Sequence, residues 1–334
     1  MRRLLLLLCL FLLPLAGCGK NSGPDLSPFA PEEENRLVLY TSHKEEIYAP
    51  IIREFEARTG IWVQVETGGT SALLERLEAE AEAPACDLLF GGGVDSLQAC
   101  ASLFEPYVTP LREEIQPAFL CPDGTWTAFS SLPVVLIYNP VLIRSNPPDS
   151  WNSLLDPAWR GKIAFADPTV SGAGYTALAS LLQALPGDDE ALLSAFAENL
   201  DGQILESSDQ VTGAVADGTC YIGAIPEDSA LQAVRKGQDV ALLCPREGTC
   251  AMPDGMAVIA GCAHGENARR FIDFTLGEDV QRYLAEACFR RSVRTERQGT
   301  EDTLPALDYD IAWASSRRED LLRRWRELTE EAAP

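Results

Sequence analysis

Residues 37–45 read Leu-Val-Leu-Tyr-Thr-Ser-His-Lys-Glu, an apolar run that breaks into a polar turn just before an amphipathic segment. Ile47, Ile51, Ile52 and Phe55 follow at helical spacing and predict a helix with one apolar face. Ser42 and Glu45 stand three apart, the spacing of a capping box, which places the helix start at the end of the strand. The same order recurs at Ile61–Val65, where Gly68-Gly-Thr-Ser71 opens a helix carrying Leu73, Leu74 and Leu77. It recurs again at Asp87–Phe90, followed by Gly91-Gly-Gly-Val-Asp95 and a helical stretch from Ser96 to Phe104. Three strand–turn–helix units in succession predict a parallel α/β sheet. Such sheets take their ligands at the carboxyl ends of the strands, where helix N-termini offer free N–H groups.

The middle of the chain continues the alternation. Strands are expected at Pro133–Tyr138, Lys162–Phe165, Tyr221–Ile225 and Ala257–Ala260, with Trp151–Trp159 a short helix-and-turn stretch. Helices are expected after Ser171-Gly-Ala-Gly-Tyr175, over Glu190–Leu200, after Ser207, and near Glu266–Leu276 and Glu278–Cys288. Ser207 and Gln210 repeat the capping-box spacing. A last helix over Asp308–Thr329 puts Leu321, Trp325 and Leu328 on one stripe, read as a packing face.

The chain has 334 residues, with 27 Lys and Arg against 50 Asp and Glu, a formal net charge of −23. A balance that acidic argues against a nucleic-acid partner, which requires a basic face to neutralise phosphates. His43 and His264 are the only histidines, little material for a zinc site or a catalytic base. No Gly-x-Ser-x-Gly elbow or Ser-x-x-Lys is present, so a hydrolase, the competing class, lacks an activated nucleophile. The expectation is a protein that is not an enzyme.

Arg2 and Arg3 precede an apolar run from Leu4 to Leu15, too short to span a bilayer but right for a signal-peptide core. The run ends in Leu15-Ala16-Gly17-Cys18, which resembles the bacterial lipoprotein cleavage box; that resemblance implies removal of residues 1–17 and lipidation at Cys18. Residues 18–35, rich in Ser, Gly, Pro and Glu, read as a polar tether. An exported protein anchored to the outer face of the membrane follows. Of ten cysteines, eight remain in the body of the chain: Cys86, Cys100, Cys121, Cys220, Cys244, Cys250, Cys262 and Cys288. Outside the cytosol they allow about 105 disulfide pairings. Cys244 and Cys250, flanking a Gly-containing turn, are the first expected pair.

The stretch Trp151-x-x-Leu154-x-Asp156-Pro157-x-Trp159-Arg160-Gly161-Lys162-Ile163-Ala164-x-x-Asp167-Pro168 resembles the central motif of periplasmic solute-binding proteins of ABC transporters. The group it resembles is the ferric-iron or extracellular solute-binding one. Leu37–Glu45, Gly248-Thr-Cys-Ala-Met-Pro-Asp-Gly255 and Arg290-Arg-Ser-Val-Arg294 resemble the same group, in the same order. The resemblance implies an α/β fold of two lobes, each a mainly parallel sheet flanked by helices. Lobe I is expected over 36–130 plus 255–294, lobe II over 131–254 and a helical C-terminal segment over 295–334. It also implies a monomer that captures a small-molecule or ion ligand between the lobes and delivers it to an ABC permease.

The turns expected to face that cleft supply Thr41, Ser42, His43, Gly69, Thr70, Ser71, Gly92, Gly93, Ser130, Ser171, Gly172, Ser207, Ser208, Glu227 and Asp228. Hydroxyls, glycines and helix N-termini suit an oxyanion. Each single serine also reads as a plain helix cap; only the joint placement after successive strands makes a site. A phosphorylated sugar, a phosphonate or a similar small anion is the expected cargo, with no resident cofactor. Ferric iron is the alternative the resemblance implies, since iron-binding members use adjacent tyrosines with a His and a carboxylate. This chain has no Tyr-Tyr pair, and His43, Tyr221, Glu227 and Asp228 are the residues left for an iron set.

Overall fold

The computed structural model describes residues 31–295 and 304–331; the leader, Cys18 and tether residues 18–30 lie outside the described residues. Two sheets carry the fold. In the first, β1 (Arg36–Thr41) lies between β2 (Trp62–Thr67) and β3 (Leu88–Gly93), all parallel. Strand β11 (Pro253–Ile259) runs antiparallel against β3 and also pairs β4 (Phe104–Glu105) and β5 (Thr127–Ser131). The second sheet has the order β10 (Ala241–Leu243), β6 (Val134–Tyr138), β9 (Ile222–Pro226), β7 (Ile163–Ala166) and β8 (Ile204–Leu205). The chain passes between sheets twice, from β5 to β6 and from β10 to β11, and Leu132 N–H binds Met252 O at 2.8 Å where these crossovers run side by side. This is the expected two-lobe α/β fold, but the sheets are mixed rather than mainly parallel: β11 runs antiparallel to β3, β4 and β5, and β6 runs antiparallel to β9 and β10.

Helices α1 (Glu45–Thr59), α2 (Thr70–Ala79) and α3 (Val94–Ala99) each follow a strand of the first sheet. Apolar spacing decides what they bury: Ile47, Ile51, Ile52 and Phe55 of α1, and Leu73, Leu74 and Leu77 of α2, as read from the sequence. Pro50 inside α1 has no N–H to give Glu46 O, and Tyr283 OH supplies that bond at 2.8 Å. Phe55, Phe90, Phe129 and Phe271 meet edge to face, with centroids 4.6 to 5.3 Å apart. Such pairs add about 0.5–1.5 kcal/mol each beyond their buried area.

Around the second sheet stand α4 (Gly172–Ala184), α5 (Asp189–Leu200), α6 (Ser208–Ala216) and α7 (Glu227–Arg235). Helices α8 (Gly265–Leu276) and α9 (Glu278–Ala287) return to the first sheet, and α10 (Ile311–Glu331) ends the described chain. Helix α10 touches both lobes. Trp325 packs on Phe165 and Phe196 of the second lobe, while Arg318 donates to Ser71 and Ser96 hydroxyls of the first.

Several expectations change. The stretch from Ser96 to Phe104 is not one helix: α3 ends at Ala99 and Phe104 enters β4, pairing with Ile259. Gly91 to Gly93 continue β3 rather than forming a turn, with Gly91 and Gly92 at φ +116° and +94°, a region glycine reaches without strain. Ser42 does not cap α1; Lys44 holds the cap position and no side chain bonds there. Cys244 and Cys250 are not bridged, and all eight described cysteines are free thiols. Cys250 is buried with its sulfur 2.9 Å from Ser180 Oγ, while Cys244 is only half-buried beside Pro245 and Pro305 carbonyls. The tether's last residues, Glu33–Asn35, form a short 3-10 turn, which Asn267 fixes through Glu34 O and Arg36 O.

Candidate functional site

A cavity of about 230 Å³ lies between the lobes, its lining drawn from both sheets and both crossovers. Strand polarity explains the place. β1, β3, β7 and β9 all end there, and the helices after them start there, so several helix N-termini face one space.

The helix starts at the cavity are handled in three ways. Ser171 Oγ accepts Gly174 N–H at the head of α4, and Ser207 Oγ accepts Gln210 N–H at the head of α6, as its spacing predicts. At α7 the carboxylate of Asp228 accepts Ser229 N–H at 2.7 Å. At α2 the cap position is Gly69, which has no side chain, and no side chain caps that helix. First-turn N–H groups without a side-chain partner are donors for an anion.

The floor is ionic. Arg290, just past α9, is 7% exposed; its Nε donates to Asp228 Oδ2 at 3.0 Å and its Nη1 to Asp254 Oδ2 at 2.6 Å. Nη1 also reaches Ser130 Oγ at 3.2 Å, and Ser130 N–H and Oγ both donate to Asp254 Oδ1. One guanidinium thus ties Asp254 on β11 of the first sheet to Asp228 on α7, beside the second. Burial alone lowers the Arg290 pKa, but the two carboxylates outweigh it and hold the group charged. Burial pushes the Asp254 carboxyl up, against the pull of Arg290. His43 sits beside them, its Nε2 3.4 Å from Asp254 Oδ2 but out of hydrogen-bond alignment, so this buried nitrogen has no partner. Burial first, and the Arg290 charge second, press its pKa well below the ordinary histidine value, so the ring is neutral at pH 7.

Of the residues expected here, Ser42, His43, Gly69, Thr70, Gly92, Gly93, Ser171, Gly172, Ser207, Ser208 and Asp228 line the cavity. The others do not. Thr41 is buried and donates to Phe90 O; Ser71 accepts from Arg318; Ser130 is a residue of β5 that sits behind Arg290. Glu227 turns away to pair with Arg291 Nε at 2.7 Å. Glu227 and Asp228 are the first two residues of α7, and they diverge, one to Arg291 and the other to Arg290. Tyr221 precedes β9 at the strand's other end, roughly 17 Å of chain from the cavity at a strand's rise per residue, and its ring lies 5.6 Å from Lys162 Nζ. Among the described residues no group of three or more His, Cys, Asp and Glu side chains is placed to hold a metal ion. The sequence reading missed Arg290, Asp254, Lys44 and Thr176 as lining residues. The first two lie in the motifs quoted above, Arg290–Arg294 and Gly248–Gly255, so the signal was present but carried no spatial information.

Two α/β lobes joined by paired crossovers around one polar cleft define a cleft-type binding protein. The comparisons agree. Residues 85–312 match the model of the family described as bacterial extracellular solute-binding protein, and the chain belongs to that family. It is the substrate-binding protein of an ABC transporter. Among relatives, Iron uptake protein A1 of Synechocystis sp. is 27% identical over 292 residues, 81% of this chain and 79% of its own. A Salmonella typhimurium protein whose name provisionally assigns it 2-aminoethylphosphonate binding is 22% identical over 249 residues, 72% of each chain. Among solved structures, the periplasmic binding protein AfuA from Actinobacillus pleuropneumoniae, with exogenous fructose-6-phosphate bound, superposes with a TM-score of 0.81. That pair is 24% identical and covers 88% of this chain and 98% of the other. Among the described residues no helix is long and apolar enough to cross a membrane.

Proposed function

We propose that this chain captures a small organic anion, a phosphorylated sugar or a phosphonate, in the inter-lobe cleft and hands it to its permease as a lipid-anchored monomer. Residues 36–130 with 255–294 form one moving body on this reading and 131–254 the other. The observation that carries the proposal is the joining, on one cavity, of the starts of α2, α4 and α6 with the buried guanidinium of Arg290. The anionic group belongs at the starts of α2 and α4, whose first turns hold no acidic residue, whereas Asp209 stands in the first turn of α6 and Asp228 in that of α7. Glu206, Asp209, Asp228 and Asp254 face the cavity against Lys44 and Arg290. Those carboxylates suit hydroxyl or ammonium groups on the same ligand. AfuA, solved with fructose-6-phosphate, and the relative named for 2-aminoethylphosphonate support this cargo class.

A second reading, ferric iron as cargo, has the Synechocystis relative and the unpartnered Nε2 of His43 in its favour. Tyr221 at the far end of β9 and Asp228 already bonded to Arg290 favour the organic anion. A thermal-shift screen of the mature protein against fructose-6-phosphate, 2-aminoethylphosphonate, inorganic phosphate and ferric citrate tests the choice. A binder at 100 times its dissociation constant adds about 2.7 kcal/mol of stability. The organic anions are expected to score. Ferric citrate scoring alone, with a tyrosinate-to-metal absorption band, would replace this reading with the iron one.

A further inference from the structure

We infer that Gly69 and Gly172 set how closely the two lobes can approach, and so limit the size of ligand the closed cleft can hold. The inference rests on the cleft being the binding site. Gly69 is the cap residue of α2 on the first lobe, and Gly172 is the first residue of α4 on the second. A methyl group on Gly69 would stand 2.7 Å from the carbonyl oxygen of Val170, across the cleft. A methyl on Gly172 would stand 2.7 Å from Thr70 Oγ1 and 3.0 Å from Thr70 Cβ, again on the opposite lobe. Neither contact is made to the glycine's own lobe.

Backbone conformation does not demand glycine at either place. Gly69 has φ −67° and ψ 148°, open to any residue, and Gly172 has no positive φ and lies in a helix, where alanine is preferred. What a side chain would meet is the facing lobe. The obstacle at Gly69 is a backbone carbonyl, which cannot swing aside as a flexible side chain does. Close by, at the rim of the same cavity, Lys44 Nζ of the first lobe contacts Asp209 Oδ1 of the second at 2.5 Å. The lips are therefore in contact at two kinds of point: glycine against backbone, and ammonium against carboxylate. With the lips held there, the cavity of about 230 Å³ suits one small molecule.

The Lys44–Asp209 pair gives a readout that needs no ligand. A zero-length carbodiimide cross-linker activates the Asp209 carboxylate, and attack by the Lys44 amine forms an amide with loss of the urea by-product. Mass spectrometry then counts the Lys44–Asp209 amide, which forms only while the lips meet. Gly69→Ala and Gly172→Ala are expected to lower its yield roughly tenfold or more, with melting temperatures at or above the parent's. Gly213→Ala on α6, where a methyl meets nothing within 4 Å, is expected to match the parent's yield, with a melting temperature at or above the parent's. Unchanged amide yield in both glycine variants would overturn the inference. So would a fall in yield that the Gly213→Ala control shares. If the parent forms the amide and neither fructose-6-phosphate nor 2-aminoethylphosphonate raises its yield, the cargo reading fails. The variants still decide the closure assignment.

Discussion

His43 shows how one side chain links sequence, burial and stability. It stands two residues past the end of β1, so the strand delivers it to the cleft, and Phe90 and Phe129 rings 4.6 and 5.3 Å away shut water out. Its folded pKa is depressed while the unfolded chain keeps the ordinary value near 6.5. The sign follows from proton counting. Below pH 6.5 the unfolded chain takes up a proton that the folded ring refuses, so stability is intact above that pH and falls as pH drops through it. For one proton the slope cannot exceed about 1.4 kcal/mol per pH unit. Urea midpoints measured from pH 7.5 down to 5 are expected to fall faster for the parent than for His43→Gln. Parallel curves would show that His43 is not held neutral. None of this was legible beforehand: the sequence showed a histidine after a strand, and its neutrality comes from Phe129 and Arg290, which lie more than eighty residues away.

Elements were easier to read than contacts, because periodicity is local. The buried faces of α1 and α2, and the cap on α6, are in the structure as the spacing of apolar and hydroxyl residues predicts. Ser42 and Ser207 have the same capping-box spacing, yet only Ser207 caps. The chain at Ser42 is still leaving β1, Thr41 Oγ1 takes the His43 N–H, and the helix begins two residues later than the motif implies. The two serines should therefore separate experimentally. Ser207→Ala is expected to cost about 1 kcal/mol in denaturant unfolding, the usual worth of a helix cap. Ser42→Ala is expected to leave stability nearly unchanged and to weaken ligand binding, since Ser42 lines the cavity and caps nothing. Equal stability losses would mean that Ser42 has a structural role not visible in its contacts. Helix α7 escaped the sequence reading because Pro226-Glu-Asp-Ser229 looks like the end of a strand. In the fold, Pro226 closes β9 and is also the cap position of the helix that follows at once.

At the scale of the whole molecule, the order of strands and helices was enough to predict an α/β protein, and the resemblance in the Trp151–Pro168 stretch supplied its division into two lobes. What the sequence could not supply is which polar turns meet. Eleven of the fifteen expected cleft residues line one cavity; Thr41, Ser71, Ser130 and Glu227 lie next to lining residues but face other partners. The cross-lobe ties are invisible in one dimension for the same reason: Arg290 with Asp228, Lys44 with Asp209, and Arg318 of α10 with Ser71 and Ser96. Such ties make closure a balance between two packed states, and a ligand shifts that balance only by binding one state more tightly. Solution scattering from the mature protein, with and without saturating fructose-6-phosphate or 2-aminoethylphosphonate, measures this directly. The account predicts that the ligand that scores in the thermal screen also shrinks the radius of gyration of the parent, and shrinks it less in Gly69→Ala. A ligand that binds tightly while both proteins keep the same radius would contradict a cleft that shuts on its cargo.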